Sequence, residues 1–380
     1  MLRAIASVGQ VQQDVWDGLA NPPGAEFNPF VSYDFFRALE QSGSATARTG
    51  WAGQHLLAED GHGRVIGIAP CYLKSHSQGE YVFDHGWADA FRRAGGHYYP
   101  KLQAAVPFTP VTGPRFLSPD ASVRNFLAQG LVALCRETKA SSVHVTFLPE
   151  DDWTAIGQGP WLKRNDIQFH WHNHGYADFA EFLTSLSAQK RKNIRKERDS
   201  MRAAGIELSC ISGNDLRESH WDAFFAFYMD TGSRKWGSPY LTRTFFSLVG
   251  ESMNRHIMLV IARRAGRMIA GALNFIGSDA LYGRNWGAIE DHPNLHFEAC
   301  YYQAIDFAIA RKLARVEAGA QGPHKLARGY LPQKTCSLHY LVHPGLSRAV
   351  ADYLEAERQG VETDRAALAR HSPFRQEHEF

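Results

Sequence analysis

The order of secondary-structure signals is the feature that most constrains the fold of this chain. Both halves run as helices, a meander of strands, a helix and a final strand. Apolar residues recur at helical spacing in the helices, and turn residues separate the strands. The first half shows these segments in order: LRAIAS, FVSYDFFRALEQSG, QHLLAED, RVIGIAPCYLK, SVRNFLAQGLVALCRETKA and SSVHVTFLP. QHLLAED and RVIGIAPCYLK are predicted to pair as a hairpin.

The second half repeats this order. WDAFFAFYMDTGSRK and YLTRTFFSLVGESM are predicted helices, three strands with turns at Gly266 and Gly277 follow, and a helix LHFEACYYQAIDFAIARKL precedes the strand ARVEAG. A chain of 380 residues is too long to fold around a single hydrophobic core. We therefore expect an α+β protein of two similar domains in tandem. The predicted limits are 1–165 for the first domain, 166–360 for the second with a basic helix at 178–204, and 361–380 for a flexible tail.

Composition excludes several classes of protein. The apolar fraction of 44% and the charged fraction of 21% are typical of a folded chain. The net charge of +2 means that any role with RNA or phosphate must depend on a local patch. The five cysteines are far apart and form no CxxC pair, which argues against a disulfide framework and a zinc site.

Targeting signals and common cofactor motifs are missing from the sequence. The N-terminus has no long apolar core, and no apolar run approaches the roughly 18 residues that a membrane span needs. We therefore expect a cytoplasmic protein without a membrane span. No GxGxxG, P-loop, GxSxG or HExxH motif occurs. His292 and His296 lack a convincing metal spacing, so neither a metal nor a tightly bound cofactor is expected.

The segment EAGAQGPHKLARGY, residues 317–330, is the strongest candidate for a catalytic site. It places Glu317, His324, Lys325 and Arg328 close together in a stretch that glycines punctuate. Glycine lets the backbone turn tightly and approach a bound molecule. Glu317 and His324 are able to handle protons, whereas Lys325 and Arg328 are able to hold an anion.

The helix around residues 189–202 is strongly basic. Its cations surround several faces, and Ile194 and Met201 are the apolar residues available for docking. One interpretation is a solvated helix with internal pairs such as Arg195 with Asp199. The other is a platform for phosphates of RNA, a nucleotide-linked precursor or coenzyme A, with Lys192 and Arg195 as phosphate ligands.

The loop DTGSRKWGSPYLTR, residues 230–243, combines two cations with a tryptophan. Arg234 and Lys235 are candidates to bind an anion of the substrate, and Trp236 to stack on a ring or sugar. A helix cap with Trp236 packed inward is the structural alternative.

The segment YGRNWGAIEDHPNLHFEACYYQ, from 282 to 303, runs from a strand into a helix. Tyr282, Arg284 and Trp286 alternate along the strand, so we expect them to share one face and line a substrate groove. His296 and Glu298 open the helix as further candidates for substrate binding. For Glu298, favourable interaction with the helix N-terminus is an equal alternative.

In the first half, VPFTPVTGPR precedes a helix that is predicted to begin near Asp120. Thr112, Gly113 and Arg115 are therefore candidates for binding a phosphate near that helix end. The prolines fit a rigid structural loop equally well.

Four of these segments together resemble one family. RKNIRKERDSMRAAGI, FYMDTGSRKWGSPYLT, HFEACYYQAIDFAIARKL and EAGAQGPHKLARGYLP look like the FemAB-like group within the GNAT acyltransferase superfamily, and VPFTPVTGPR looks like its first-domain signature. The resemblance implies two GNAT-type domains with a substrate cleft between them. It also implies transfer of an aminoacyl group from aminoacyl-tRNA to an amine on a nucleotide- or lipid-linked peptidoglycan precursor.

Ordinary GNAT enzymes take acetyl from acetyl-CoA and hold its pyrophosphate with an R/Q-x-x-G-x-G/A loop. Neither half has a faithful copy, and EDHPNLHFE contains no glycine, which argues against acetyl-CoA. The long helical arm of some Fem proteins is missing, and the basic helix occupies a comparable position.

The resemblance also implies roles for individual residues. Lys325 or Arg328 stands where Fem transferases carry a basic residue that stabilises the acyl-transfer intermediate. The chemistry of acyl transfer also requires that the amine lose a proton, which Glu317 or His324 is able to take. We thus expect an acyltransferase that uses aminoacyl-tRNA or acyl-CoA as donor and a small or precursor-linked amine as acceptor. A binding module for peptidoglycan fragments or RNA, and an acetyl-CoA-dependent N-acetyltransferase, are the alternatives. The oligomeric state stays open.

Overall fold

The structure is a computed structural model that describes residues 1–235, 239–320 and 322–375. The strands are β1 Leu2–Ile5, β2 Trp51–Gly53, β3 His55–Glu59, β4 Val65–Ala69, β5 Cys71–Lys74, β6 Lys101–Ala104, β7 Ser142–Leu148, β8 Leu162–His172, β9 Ile206–Ser212, β10 Ile257–Arg264, β11 Arg267–Ile276, β12 Ala280–Ala288, β13 Arg315–Ala320 and β14 Leu331–Leu341. The helices are α1 Gln13–Ala20, α2 Tyr33–Gln41, α3 His85–Arg93, α4 Ala121–Glu137, α5 Glu150–Ile156, α6 Phe179–Ser185, α7 Ala188–Ala203, α8 Glu218–Lys235, α9 Arg243–Ser252, α10 Leu295–Phe297, α11 Gln303–Ala310 and α12 Pro344–Arg370.

The chain divides into two compact units. The first contains residues 1–166 and 334–363, and the second contains residues 167–333 and those from Asp364 onward. The predicted division differs, because it placed 334–360 in the second domain. The reason is strand pairing: β14 pairs antiparallel with β7 of the first unit, from Cys336 to Leu341. Pairing between segments so distant in sequence leaves no mark on local periodicity.

The first unit contains a small sheet and a larger one. Its small sheet has the order β1-β3-β4, and its larger one runs β2-β5-β6-β7-β14. β6 and β7 are parallel, and α4 forms the connection between them. α4 begins after Asp120, whose carboxylate accepts a hydrogen bond from the Ser122 amide at 2.7 Å. One face of α4 packs Leu127 and Leu131 into the core of this unit.

The second unit has the strand order β8-β13-β12-β11-β10-β9. Here β12 and β13 are the parallel pair, and the helical segment from α10 to α11 connects them. The predicted turns at Gly266 and Gly277 are both present. Gly266 has a φ of +76° in the β10–β11 hairpin, and the Gly277 amide bonds the Ala280 carbonyl at 2.8 Å before β12 begins. The apolar side of this sheet packs against α11.

Two local predictions need correction. RVIGIAPCYLK is not one strand: it is interrupted at Pro70 between β4 and β5, which lie in different sheets, because proline has no amide hydrogen for a ladder. The segment 361–375 is not a flexible tail either. It continues α12 to Arg370, and the Ser187 amide then bonds the Pro373 carbonyl at 3.0 Å while the Arg375 amide bonds the Ser185 carbonyl at 2.9 Å.

Candidate active site

A pocket opens where the parallel pair of the second unit separates. β12 and β13 pair only from Ala280 to Tyr282 and from Arg315 to Glu317. Beyond this point the strands diverge and leave a pocket of about 90 Å³. The carboxyl ends of parallel strands are a common place for ligand binding. The pocket is lined by Ala272, Leu273, Asn274, Gly283, Arg284, Asn285, Trp286, His296, Cys300, Tyr301 and Ala318.

A β-bulge in β12 decides which side chains enter this pocket. Leu273 lies opposite Asn285 and Asn274 lies opposite Gly283, so Arg284 is the extra residue of the bulge. An extra residue in one strand reverses the alternation of faces beyond it. Tyr282, Arg284 and Trp286 therefore do not share one face. Arg284 and Trp286 line the pocket, and buried Tyr282 does not.

The helix that closes the pocket contains a π-helical turn. It begins as α10, widens over Glu298–Tyr302 and continues as α11. π turns change which residues a helix presents, and they are frequent at functional sites. This one brings Cys300 and Tyr301 to the pocket beside His296 of α10. The His296 ring centroid lies 5.4 Å from that of Trp286 and 5.3 Å from that of Tyr301.

Lys325 lies in a 3₁₀ turn, Pro323–Arg328, after β13. Gly322 and Gly329 flank this turn with φ values of +108° and +89°, as the glycine spacing predicted. The Lys325 side chain is 3% exposed, and its ammonium donates to the Gly319 carbonyl at 2.9 Å. Burial lowers the pKa of Lys325 to about 8; Cys300 opposes this shift, and the Arg284 charge adds to it.

His324 and Arg328 flank Lys325 in an aromatic environment. The His324 Nε2 atom and the Tyr301 hydroxyl are 2.9 Å apart. Burial, followed by the charges of Lys325 and Arg328, lowers the pKa of His324. The Arg328 guanidinium lies 3.4 Å from the Phe297 ring centroid and donates to both Glu197 carboxylate oxygens at 2.9 Å. Arg328 is thus held in an ion pair with α7.

Glu317 belongs to a separate buried cluster. Its carboxylate accepts from Arg315 Nε at 2.9 Å, and burial raises its pKa. Along β13 side chains alternate, so Glu317 points away from the face on which Ala318 meets the pocket. The other carboxylate oxygen lies 3.7 Å from His170 Nε2, and neither atom has a hydrogen-bond partner among the described residues. His170 was not among the predicted site residues, since it lies on β8, far away in sequence.

The basic helix α7 combines the two interpretations that its sequence allowed. Ile194 and Met201 are buried, as expected for docking residues. Arg198 reaches inward and donates to Glu298 at 3.0 Å and Asp306 at 2.7 Å. Lys192 and Arg195 are exposed, and neither has a partner within the described part of the chain. The predicted pairing of Arg195 with Asp199 is replaced by a 3.5 Å contact of Asp199 with Arg202.

Glu298 has a mainly structural environment. Besides Arg198, the Gln303 amide donates to its carboxylate at 2.8 Å, and burial raises its pKa. Glu298 is not at the helix N-terminus, because Asn294 precedes α10. It does not line the pocket, although Cys300 and Tyr301 of the same π turn do.

The other predicted anion ligands are engaged elsewhere. Arg234, near the end of α8, pairs with Asp230 and donates to the Ala288 carbonyl at 2.8 Å. Trp236 and the side chain of Lys235 lie outside the described residues.

Arg115 is a structural residue, so the interpretation as a rigid loop fits the segment 106–115. Its side chain is 1% exposed and donates to four backbone carbonyls: Thr146 at 2.8 Å, Gly113 at 2.9 Å, Pro114 at 3.2 Å and Val111 at 2.6 Å. Burial without a carboxylate partner lowers the pKa of Arg115 to about 9. This arrangement does not support phosphate binding by Thr112, Gly113 and Arg115, because four of the five guanidinium N–H groups already donate to buried or half-buried carbonyls.

Two further properties concern the described residues only. They contain no helix long and apolar enough to cross a membrane. They also contain no group of three or more His, Cys, Asp or Glu side chains placed to hold a metal ion.

Solved structures define the class of protein. The crystal structure of FemX aligns with 92% of this chain and 100% of its own, at 9% identity and a TM-score of 0.54. L-PGS from Bacillus licheniformis aligns over 87% and 98%, at 8% identity and a TM-score of 0.52. A conserved protein of unknown function from Bacteroides thetaiotaomicron aligns with 89% of this chain and 99% of its own, at 10% identity and a TM-score of 0.52. At such identities the likeness concerns the fold alone, which this chain shares with FemX and L-PGS over most of its length.

The sequence places the chain more narrowly. The profile of the FemAB-like family, described as peptidoglycan biosynthesis/recognition, matches residues 7–376. The protein is therefore a member of the FemAB-like family, as its motifs suggested. No curated protein sequence matches the chain.

Proposed function

We propose that this protein is an acyltransferase that moves an acyl or aminoacyl group onto an amine, with the chemistry at the open end of β12 and β13. One observation carries the proposal. A buried ammonium, that of Lys325, lies in the turn that follows β13 and donates to the Gly319 carbonyl, and Cys300 and Arg284, which line the pocket, influence its pKa. A buried cation in this position is able to stabilise the oxyanion that acyl transfer creates.

The reaction forms a C–N bond and breaks the C–O or C–S bond of the donor. The carbonyl oxygen becomes negative in the tetrahedral intermediate, and a buried cation stabilises it strongly because the local dielectric is low. With its pKa near 8, Lys325 is mostly protonated at neutral pH. Lys325 is thus the residue that we assign to the oxyanion.

The attacking amine must lose a proton, which the leaving group finally takes up. The Tyr301 side chain lines the pocket, and its hydroxyl shares a 2.9 Å hydrogen bond with His324 Nε2. Since the pKa of His324 is lowered, its imidazole is neutral at pH 7 and able to accept a proton. We assign proton transfer to His324 through Tyr301. Glu317, the other predicted base, is engaged with Arg315.

Aminoacyl-tRNA is the donor that we favour. The exposed residues Lys192, Arg195 and Lys196 of α7 belong to the same unit as the pocket, and such a surface suits a polyanion. EDHPNLHFE, the approach to α10, contains no glycine, whereas the loop with which ordinary GNAT enzymes hold the coenzyme A pyrophosphate contains glycines. The family suggests an amine on a peptidoglycan precursor as acceptor. No tightly bound cofactor is required.

The proposal is tested with purified protein, charged tRNA or acyl-CoA, and a panel of precursor-linked and small amines. Lys325→Ala is expected to fold normally and to reduce amide formation at least tenfold, because the oxyanion loses its cation. Lys312→Ala, which removes an exposed lysine of the same unit, serves as the control and should react like the wild type.

Unchanged turnover in Lys325→Ala contradicts the role of Lys325. Saturable binding of a donor or precursor without any transfer identifies a binding module instead. Transfer from acyl-CoA but not from charged tRNA contradicts the proposed donor.

A further inference from the structure

The pocket between β12 and β13 is small compared with cavities that bind whole rings. Its volume is about 90 Å³. An engineered apolar cavity of about 150 Å³ holds benzene, with its six carbon atoms. At the same packing, a volume of 90 Å³ accommodates about three or four non-hydrogen atoms. The pocket is half open, and its enclosed part matches an acetyl or glycyl group better than a branched or aromatic acyl chain.

We propose that this pocket selects the acyl group by size, and that Trp286 and Gly283 set its limits. The proposal rests on the proposed function and specifies its substrate class: an acyl group of acetyl or glycyl size. The group is the same whether an ester or a thioester delivers it.

Trp286 is one limit because of the bulge in β12. Without the extra residue at Arg284, the strand would place Trp286 on the opposite face of the sheet. With the bulge, the indole reaches the pocket and packs against His296, at 5.4 Å between ring centroids. His296 in turn lies against Tyr301 on the π-helical turn. The Trp286 indole is therefore supported by His296 and, through His296, by Tyr301 of the π-helical turn.

Gly283 is the other limit, and here a side chain is absent without a steric need. A Cβ at Gly283 would lie 3.4 Å from Asn274 Oδ1, 3.5 Å from the Glu317 carbonyl oxygen and 3.8 Å from the Ala318 Cα atom. These are ordinary contacts, and Gly283 has no positive φ. Gly287, four residues later, contrasts with it, because a Cβ there would come within 2.3 Å of the Phe227 backbone. The fold thus requires glycine at 287, whereas at 283 a Cβ would make only ordinary van der Waals contacts with Asn274, Glu317 and Ala318.

The test measures amide formation from two donor series of increasing acyl size. One series is acetyl-, propionyl-, butyryl- and hexanoyl-CoA, and the other is glycyl-, alanyl-, leucyl- and phenylalanyl-tRNA. The wild type is expected to prefer the smallest acyl group of the series that it uses by at least tenfold over the largest. The series that reacts identifies the source.

Two variants change the pocket in opposite directions. Trp286→Ala should raise the ratio of large to small acyl transfer at least tenfold. Gly283→Ala adds a methyl group, which is about the size of a water molecule at roughly 30 Å³. It should lower the ratio of the propionyl to the acetyl transfer rate, or of the alanyl to the glycyl transfer rate, about fivefold. Phe307→Ala, a half-buried aromatic residue of the same unit outside the pocket lining, is the control and should leave both ratios unchanged.

The possible results separate the size filter from the activity itself. Equal rates for all acyl sizes in the wild type overturn the size filter while acyl transfer stands. Transfer from neither series overturns the proposed function and the filter with it. If Trp286→Ala does not fold, Gly283→Ala decides alone, and an unchanged ratio in that variant overturns the assignment of Gly283.

Discussion

The two units share one local strand topology, but the chain takes a different course beyond the parallel strand pair in each. In the first unit β6 pairs antiparallel with β5 and parallel with β7, and β7 pairs antiparallel with β14. In the second, β12 pairs antiparallel with β11 and parallel with β13, and β13 pairs antiparallel with β8. Each parallel pair is short, and its carboxyl end is a place where a ligand could bind. Among the described residues, the pocket lies at the second of these ends.

The difference lies in the course of the chain beyond each short parallel pair. β6 stops at Ala104, and the chain returns through residues 105–115, where the Gly113 amide bonds the Phe147 carbonyl at 3.0 Å and Arg115 fills the interior. β12 instead continues to Ala288 and diverges from β13. A returning loop thus closes the first site and an extended strand leaves the second open. The second unit is therefore the one to which we assign the proposed chemistry.

The largest expected effect comes from breaking the closure of the first unit. Arg115→Ala leaves the buried carbonyls of Thr146, Gly113 and Val111 without their donor, and each unsatisfied group costs about 1–3 kcal/mol. We expect the free energy of unfolding, measured in urea, to fall by about 3 kcal/mol or more.

Arg92→Ala, which removes an exposed arginine of the same unit, is the matched control and should change stability by less than about 0.5 kcal/mol. A similarly small loss in Arg115→Ala would contradict the structural role. If Arg115 bound a substrate phosphate, the variant would lose affinity and keep its stability.

The open site of the second unit should depend on pH through Lys325. Its pKa of about 8 lies below the usual lysine value, so its charge is present below pH 8 and is lost as pH rises through 8. Lys325→Arg keeps a positive charge at high pH. The ratio of wild-type to variant rate should therefore fall about tenfold between pH 7 and pH 9.

Taking the ratio with one acceptor removes the ionisation of the acceptor amine from the comparison. A ratio that rises with pH would mean that neutral Lys325 acts as the base. A constant ratio would mean that its ionisation does not affect catalysis.

The smallest effect concerns the exposed cations of α7. If they bind the phosphates of tRNA, the double variant Lys192→Gln, Arg195→Gln should reduce the slope of log affinity against log salt by about 1.4–1.8, since each contact contributes about 0.7–0.9. The measurement is a salt titration of binding to charged tRNA.

The double variant Arg92→Gln, Arg93→Gln in the first unit is the control, because it also removes two positive charges. Both residues are exposed at the end of α3. Equal slopes in the two double variants would remove α7 from the donor surface. They would leave the pocket and Lys325 unaffected.

Much of the candidate site was accessible from sequence. The glycines of EAGAQGPHKLARGY predicted a tightly turned segment, and Lys325 lies in such a turn beside the pocket, between Gly322 and Gly329. Arg284, Trp286 and His296 line the pocket, as the strand-to-helix segment suggested. Their roles in binding and catalysis stay predictions. Arg115 shows the limit of such reasoning. Composition cannot distinguish an arginine that is free to bind phosphate from one whose guanidinium already donates to backbone carbonyls.

The sequence by itself determined the tandem architecture, because helical and strand periodicities are local and recur in the same order in both halves. It also determined where glycine permits tight turns. Only the tertiary structure decided the bulge at Arg284, the π turn at Glu298–Tyr302 and the pairing of β14 with β7. The pairing of β14 with β7 joins segments that are distant in sequence, and the bulge depends on the register between β11 and β12. A shift of one residue in register changes which side chains reach the site without altering any local pattern.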